Sequence, residues 1–304
     1  MAIPEAQLET WSHQGAKTQS ASTYQSIKSV LEDPSSPFWL RSFDIFLQGS
    51  YGNDTNIYRD SDVDVVICLT STYYFDIDGL NPSDKDLFES DRIPEPYGFP
   101  KFRAEVLAWL TKKFGPSVHL GRKAISVPGN GNRRDADVLV CAEHRDYRKY
   151  TRSGIDDFDK GVVFWTRDGK QIVNYPKQHR DNCTAKHQNT LARFKPNVRI
   201  MKNMRNVMLE RDLIADSVAP SYFLEGMLSN VPNSEFTNSY SQTFLNAIVW
   251  LYNCDPNALT CVNDLHFLIR DGQEVCWNMA DFEKTRSALW TLWDSWSGPR
   301  RQAI

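Results

Sequence analysis

No run in the sequence approaches the ~18–20 consecutive apolar residues that a membrane-spanning helix needs, so no membrane association is expected. Cysteine is scarce, six in 304 residues and irregularly placed, which leaves no spacing pattern for a disulfide framework. The opening residues 1–11 carry no basic stretch followed by an apolar one; reduced thiols and a cytoplasmic location are the expectation. Neither sign of charge dominates. With 35 Lys and Arg against 38 Asp and Glu, the net charge is −3, which argues against a general nucleic-acid coat but leaves room for a local basic patch. Repeats and low-complexity tracts are absent. What is left is an ordinary globular composition, 41% hydrophobic and 24% charged. A chain of this length can bury about 75% of the surface its unfolded form exposes, and so folds without a metal or disulfide staple.

Patterning divides the chain into a mixed first part and a helical second part, with a boundary near residue 180. Tyr24, Ile27, Val30 and Leu31 have helical spacing and end before Pro34 and Pro37. Phe43–Leu47 and Val63–Leu69 read as strands, and Ala136–Ala142 as a third. Residues 78–100 hold four prolines and many acids and are expected to form an exposed loop. Phe102–Phe114 is expected to be a helix stopped by Gly115-Pro116. Arg167-Asp168-Gly169 between two apolar runs predicts a hairpin over 161–175. From Thr190 the pattern is helical almost to the end. Trp290, Trp293 and Trp296 recur at i, i+3 and i+6 and are expected to pack in a helical core. His179 and His187 are expected at the surface. The widely spaced Cys254, Cys261, His266 and Cys276 are expected to be plain core or surface residues without zinc.

The informative chemistry lies in Leu47-Gln48-Gly49-Ser50, eleven intervening residues, then Asp62-Val63-Asp64 entering an apolar strand. Side chains two apart on a strand share a face, so Asp62 and Asp64 present two adjacent carboxylates whose mutual repulsion a divalent cation would relieve. Asp135 and Asp137 offer a third carboxylate. Asp137 is preferred because, like Asp64, it runs directly into an apolar strand. Three carboxylates on adjoining strands can hold two Mg²⁺ ions about 4 Å apart, the arrangement for in-line displacement at phosphorus. Gly49 lets the backbone approach closely, and N–H groups with the Ser50 hydroxyl can grip a triphosphate. A similar Asp76-Ile77-Asp78 has no Gly-Ser before it and is set aside.

Between Lys186 and Arg205 stand six Lys or Arg and no acid. From Pro196 an amphipathic helix is expected, with Val198, Met201, Met204 and Met208 on its apolar stripe and Lys195, Arg199, Lys202 and Asn206 opposite. Such cations suit phosphate, or form a solvated basic face. Pro220-Ser221 begins another helix, in which the serine could act as a cap.

These segments, with Gly49-Ser50-Tyr51-Gly52-Asn53-Asp54-Thr55, the hairpin end Ile172–Lys177, Val198–Lys202 and Ala219-Pro220-Ser221-Tyr222, resemble the bacterial cGAS/DncV-like nucleotidyltransferases (CD-NTases) of the polymerase-β-like superfamily. The resemblance implies an α+β, bilobed fold: a catalytic core over residues 1–180 with an N-terminal helix, and a helical lobe over 181–304 completing a nucleotide pocket in the cleft. It implies catalysis and metal binding by Asp62, Asp64 and Asp137, and nucleotide binding by Gln48, Gly49, Ser50, Tyr51, Lys202, Ser221 and Tyr222. In that role Gln48 lines the donor pocket, Lys202 and Ser221 meet the triphosphate, and Tyr222 stacks on a base. It further implies a monomeric Mg²⁺ enzyme, with Mn²⁺ as a substitute, that joins NTPs into a cyclic oligonucleotide and releases pyrophosphate without requiring nucleic acid. The product would activate an effector in anti-phage (CBASS-type) signalling. Two alternatives stay open: transfer of a nucleotide to an RNA end, protein or small molecule, and a non-catalytic nucleotide-binding regulator. The stretch Arg300–Ile304 lacks the small last residue that some members use for conjugation, so such conjugation is not expected.

Overall fold

In chain order the elements of the computed structural model are α1 (Glu5–Ser12), α2 (Thr18–Leu31), β1 (Phe43–Leu47), α3 (Gly49–Gly52), β2 (Val63–Asp76), α4 (Pro82–Asp91), α5 (Phe99–Phe114), β3 (His119–Leu120), β4 (Ile125–Val127), β5 (Ala136–Lys149), β6 (Asp157–Trp165), β7 (Gln171–Asn174), α6 (Pro176–Asn189), α7 (Phe194–Glu210), α8 (Ser221–Asn230), α9 (Tyr240–Asn253) and α10 (Met279–Asp294). The structure describes residues 2–15, 18–58 and 62–297; Arg300–Ile304 lie outside them.

The fold is α+β. Packing groups 18–48 and 62–177 into a sheet unit, and 2–15, 49–58 and 178–297 into a helical unit. The division is thus discontinuous rather than a single cut near residue 180. The reason lies in the contacts of the early segments: α1 packs on α7 and α9, and residues 53–55 are hydrogen-bonded to α7 and α8.

In the sheet unit the strand order is β1-β2-β5-β4-β3, with β6 pairing β5 and β7 pairing β6. β2 and β5 are parallel, whereas the other pairings are antiparallel. A parallel pair needs a long crossover, and the chain between β2 and β5 includes α4 and α5. The buried face of α5 holds Phe99, Phe102, Val106, Trp109 and Leu110. Phe102 meets Phe38 edge to face at 5.6 Å, and the Trp109 indole N–H donates to the Val30 carbonyl of α2 at 2.8 Å. The helix stops at Gly115, whose φ of +97° suits glycine.

Several boundaries differ from expectation. β2 reaches Asp76 and β5 reaches Lys149, well past their apolar starts. Their far halves are polar and carry ion pairs: Glu143 pairs with Arg145 and Lys160 at 2.7 and 2.5 Å, and Arg145 lies 3.9 Å over the Tyr73 ring. Asp76 of the set-aside Asp-x-Asp is therefore a strand residue. The expected loop over 78–100 contains α4, capped by Asn81 accepting from the Asp84 N–H at 2.9 Å and anchored by Phe88 against Leu80 and Tyr147. β3 and β4, two and three residues long, are too short for periodicity to register.

The helical unit is built on α7, against which α1, α8 and α10 pack. Phe244 and Trp293 stack at 4.5 Å, and Trp11 meets Trp296 edge-on at 5.4 Å. Trp293 and Trp296 are buried as expected, but Trp290 is 43% exposed. Three-residue steps drift around a helix by about 60° each, which carries Trp290 off the buried stripe. His179 is buried and His187 half-buried, contrary to a surface placement; His179 is enclosed by Glu225 and Tyr222. Among the described residues no helix is long and apolar enough to cross a membrane.

Glu5 ties α1 to the start of α9. Its carboxylate accepts from the Tyr240 and Ser241 N–H groups at 2.6 and 2.9 Å and from the Ser239 and Ser241 hydroxyls. Slight burial works against ionisation, but these hydrogen bonds, led by Ser241, hold the carboxyl below its usual range. A depressed carboxyl contributes stability that is present above its unfolded value and lost as pH falls through the folded one. Thermal unfolding of the native chain should therefore move to lower temperature as pH falls below about 4.5, and Glu5→Gln should flatten that limb while lowering the midpoint at pH 7.

Candidate active site

The carboxylates predicted from sequence are arranged by strand register. Leu47 pairs with Val65, and the next residue, Gln48, donates its N–H to the Asp64 carbonyl at 3.1 Å. Across the parallel pair Asp64 faces Asp137. Asp137 faces Ser126 of β4, and Ser126 faces His119 of β3. Directly paired residues share a face, so Asp64, Asp137, Ser126 and His119 form one polar row across four strands, with Gln48, the residue after β1, bonded beside Asp64. Asp62 and Asp135 precede Asp64 and Asp137 by two and lie on that same face. The neighbouring Val63, Val65, Ala136 and Val138 are buried and fix which side the acids take.

Asp64 and Asp137 are half-buried and Asp62 is exposed. The Asp137 carboxyl is pushed above its ordinary range by burial, then by the charges of Asp62 and Asp135, with His119 pulling the other way. That is the signature of a place where negative charge is crowded and a cation is welcome. Asp135 accepts from the Gly129 N–H at 2.7 Å. The donor set is all hard oxygen, as Mg²⁺ requires. The Gln48 Oε1 is buried and accepts no hydrogen bond from the described residues. His119 and Ser126 were not identified from the sequence, and the brevity of β3 and β4 leaves no pattern that would have found them.

The remaining predicted residues belong to the helical unit. Gly49 has φ +63°, a conformation glycine adopts without strain. The turn closes by Asn53 N–H to the Gly49 carbonyl at 3.1 Å and Thr55 N–H to the Ser50 carbonyl at 2.9 Å. Ser50 and Tyr51 are half-buried. Ser221 is the first residue of α8, whose N-cap, Pro220, makes no side-chain capping bond. The helix dipole at that end favours anions. The Tyr222 ring stacks on His179 with centroids 5.1 Å apart, and its hydroxyl accepts from Asn263 at 3.4 Å.

The basic face of α7 is neither solvated nor open. Lys195 and Lys202 are buried. Lys202 Nζ donates to the Thr55 carbonyl at 3.1 Å, Arg199 to the Asp54 carbonyl at 2.7 Å, and Lys195 reaches the Asp54 carboxylate at 3.3 Å. Glu225 of α8, wholly buried, accepts from Asn53 at 3.1 Å, Thr55 at 2.5 Å and His179 at 2.8 Å. Burial alone would raise its carboxyl, but His179, Thr55 and Lys202 outweigh that and hold it low.

Among the described residues, His179, Cys183 and Glu225 have ligand atoms all within 4.8 Å of one another. The Glu225 oxygens in this set already accept from Asn53, Thr55 and His179, and burial pushes the Cys183 thiol above its ordinary value.

A row of acids following a Gly-Ser turn, on an α+β scaffold, fits a polymerase-β-like nucleotidyltransferase fold. The comparisons narrow this. The model of the cGAS/DncV-like nucleotidyltransferase C-terminal helical domain matches residues 181–294. The cyclic UMP-AMP synthase of Rhodothermus marinus (strain SG0.5JP17-172) is 38% identical over 98% of this chain and 99% of its own. The cyclic nucleotide synthase CdnE01 of Staphylococcus haemolyticus is 32% identical over 97% and 100%. The solved structure of Rhodothermus marinus CdnE c-UMP-AMP synthase with Apcpp and Upnpp superposes with a TM-score of 0.87 at 35% identity, covering 99% of this chain and 100% of that one. The chain belongs to the cGAS/DncV-like nucleotidyltransferases.

Crowded charge on the row has a measurable consequence. In EDTA, Asp137→Asn should raise the thermal midpoint by about 2 °C, because it removes a half-buried carboxylate from beside its neighbours. Added Mg²⁺ should stabilise the native chain and leave Asp137→Asn unmoved, as read by differential scanning fluorimetry.

Proposed function

We propose that this chain joins two NTPs into a cyclic dinucleotide, releasing two pyrophosphates, and that UTP with ATP is the preferred pair. The observation that carries the reading is the in-register pairing of Asp64 with Asp137, Asp62 lying two residues before Asp64, in a chain aligned end to end with cyclic nucleotide synthases. The base pair is taken from the full-length relative at 38% identity, which makes cyclic UMP-AMP; relatives at 33% and 31% are dipurine and dipyrimidine synthases.

In this reading Asp62, Asp64 and Asp137 hold two Mg²⁺ ions, with Mn²⁺ as a substitute. Bound there, the ions lower the pKa of the attacking ribose hydroxyl and offset charge on the departing pyrophosphate. The residues of the chain do the positioning. Gly49 and Ser50 offer backbone N–H groups and a hydroxyl to the donor triphosphate, with Tyr51 beside them. Ser221 and the first turn of α8 offer further donors. Tyr222, backed by His179, gives a base a stacking surface worth about 1–3 kcal/mol per base. Gln48, whose Oε1 has no donor among the described residues, accepts from a polar group of the nucleotide. Lys202 contributes its charge to the turn through Thr55. The chain works as a monomer on NTPs alone, and its product is a second messenger read by an effector in anti-phage defence.

An equal mixture of the four NTPs with Mg²⁺, analysed by mass spectrometry, should yield a cyclic uridine–adenosine dinucleotide. Other bases would displace only the choice of pair. Product appearing only after RNA or protein is added would replace the function with transfer to that acceptor. Asp64→Asn should lower pyrophosphate release by at least about 10³-fold with an unfolding midpoint at or above that of the native chain.

A further inference from the structure

Ser50 is held by a chain of bonds that ends in the interior of the helical unit. Its carbonyl accepts from the Thr55 N–H at 2.9 Å. The Thr55 hydroxyl in turn donates to Glu225 at 2.5 Å, and the Thr55 carbonyl accepts from Lys202 at 3.1 Å. Asn53, whose N–H closes the same turn on Gly49, gives its side-chain amide to the other Glu225 oxygen at 3.1 Å. That oxygen also meets His179 at 2.8 Å, and His179 carries the Tyr222 ring. Thr55, Lys202, Glu225 and His179 are all buried.

Glu225 also lies one helical turn beyond Ser221 in α8. A single carboxylate thus links the Gly49–Gly52 turn, the first turn of α8 and α6. Hydrogen bonds to a charged, buried acceptor are the strong ones, and a buried charge tolerates little displacement of its partners.

We propose that Glu225 is a positioning residue for nucleotidyl transfer: through Thr55 and Asn53 it fixes the turn carrying Ser50 in register with Ser221 and Tyr222, so that both sets of donors are preset for one triphosphate. This rests on the function proposed above. Preset donors bind without an ordering cost, so the contribution falls on nucleotide affinity. A role confined to stability would lower the fraction of folded enzyme, and with it the apparent kcat, while KM stayed as it was.

The test uses the full chain with Mg²⁺ and two readouts: calorimetric Kd for a nonhydrolysable ATP analogue, and KM and kcat for pyrophosphate release from the NTP mixture. Thr55→Val keeps the shape and removes the hydroxyl that Glu225 holds. It should weaken the analogue by about tenfold and raise KM in proportion, since one lost buried hydrogen bond to a charged acceptor is worth that much. Thr55→Ser, which restores the hydroxyl, should return both to within about threefold of the native chain. Glu225→Leu should match Thr55→Val in Kd if it folds; the Thr55 pair decides the matter if it does not. Unchanged Kd and KM in Thr55→Val, or equal loss in Thr55→Ser, overturns the inference while leaving the synthase reading intact. A native chain that neither binds the analogue nor turns over NTPs removes that reading, and this inference with it.

Discussion

The in-register parallel pairing of β2 with β5 is the constraint on which the rest of the acid site depends. It sets Asp64 opposite Asp137, and each is flanked by buried valine or alanine that holds it to one face. Side chains alternate along a strand, so a slip of one residue would send both carboxylates to the opposite side and bring valines into their place. The hydrophobic pattern of the two strands is therefore what aims the charges. The same register extends the row to Ser126 and His119, with Gln48 bonded beside Asp64.

In the helical unit the governing rule is that buried charge must be partnered. The polar stripe of α7 resembles a surface waiting for an anion, yet its partners come from its own chain. Lys195, Arg199 and Lys202 all point at Asp54 and Thr55, and Glu225 answers from α8. The result is a loop fixed by electrostatics rather than by apolar contact. Such a loop can present backbone N–H groups while staying rigid, which is the condition under which donors act without reorganising.

Much of this was legible in the sequence, though unevenly. The Val- and Ile-rich starts of β2 and β5, the Gly-Ser turn and the entry of Asp62, Asp64 and Asp137 into strands all follow from spacing. The far halves of β2 and β5 do not, because there cross-strand ion pairs such as Glu143 with Lys160 stand in for apolar residues, and an ion pair leaves no periodicity. His179, expected at the surface, is buried. Its burial depends on Glu225, 46 residues away, which no local pattern reports.

By itself the sequence determined the chemistry on offer: which side chains bear charge, where the apolar strands and amphipathic helices begin, and which glycine can take a left-handed backbone. Those are properties of residues and their near neighbours. Tertiary structure alone decided which charges meet. Segments 2–15 and 49–58 join the C-terminal helices rather than the sheet beside them in the chain. Lysines on α7 are spent on a loop some 140 residues earlier, and a row of four polar groups is assembled from four strands. Pairing of that kind is fixed by the low dielectric of the interior and by strand register, both of which exist only once the chain has folded.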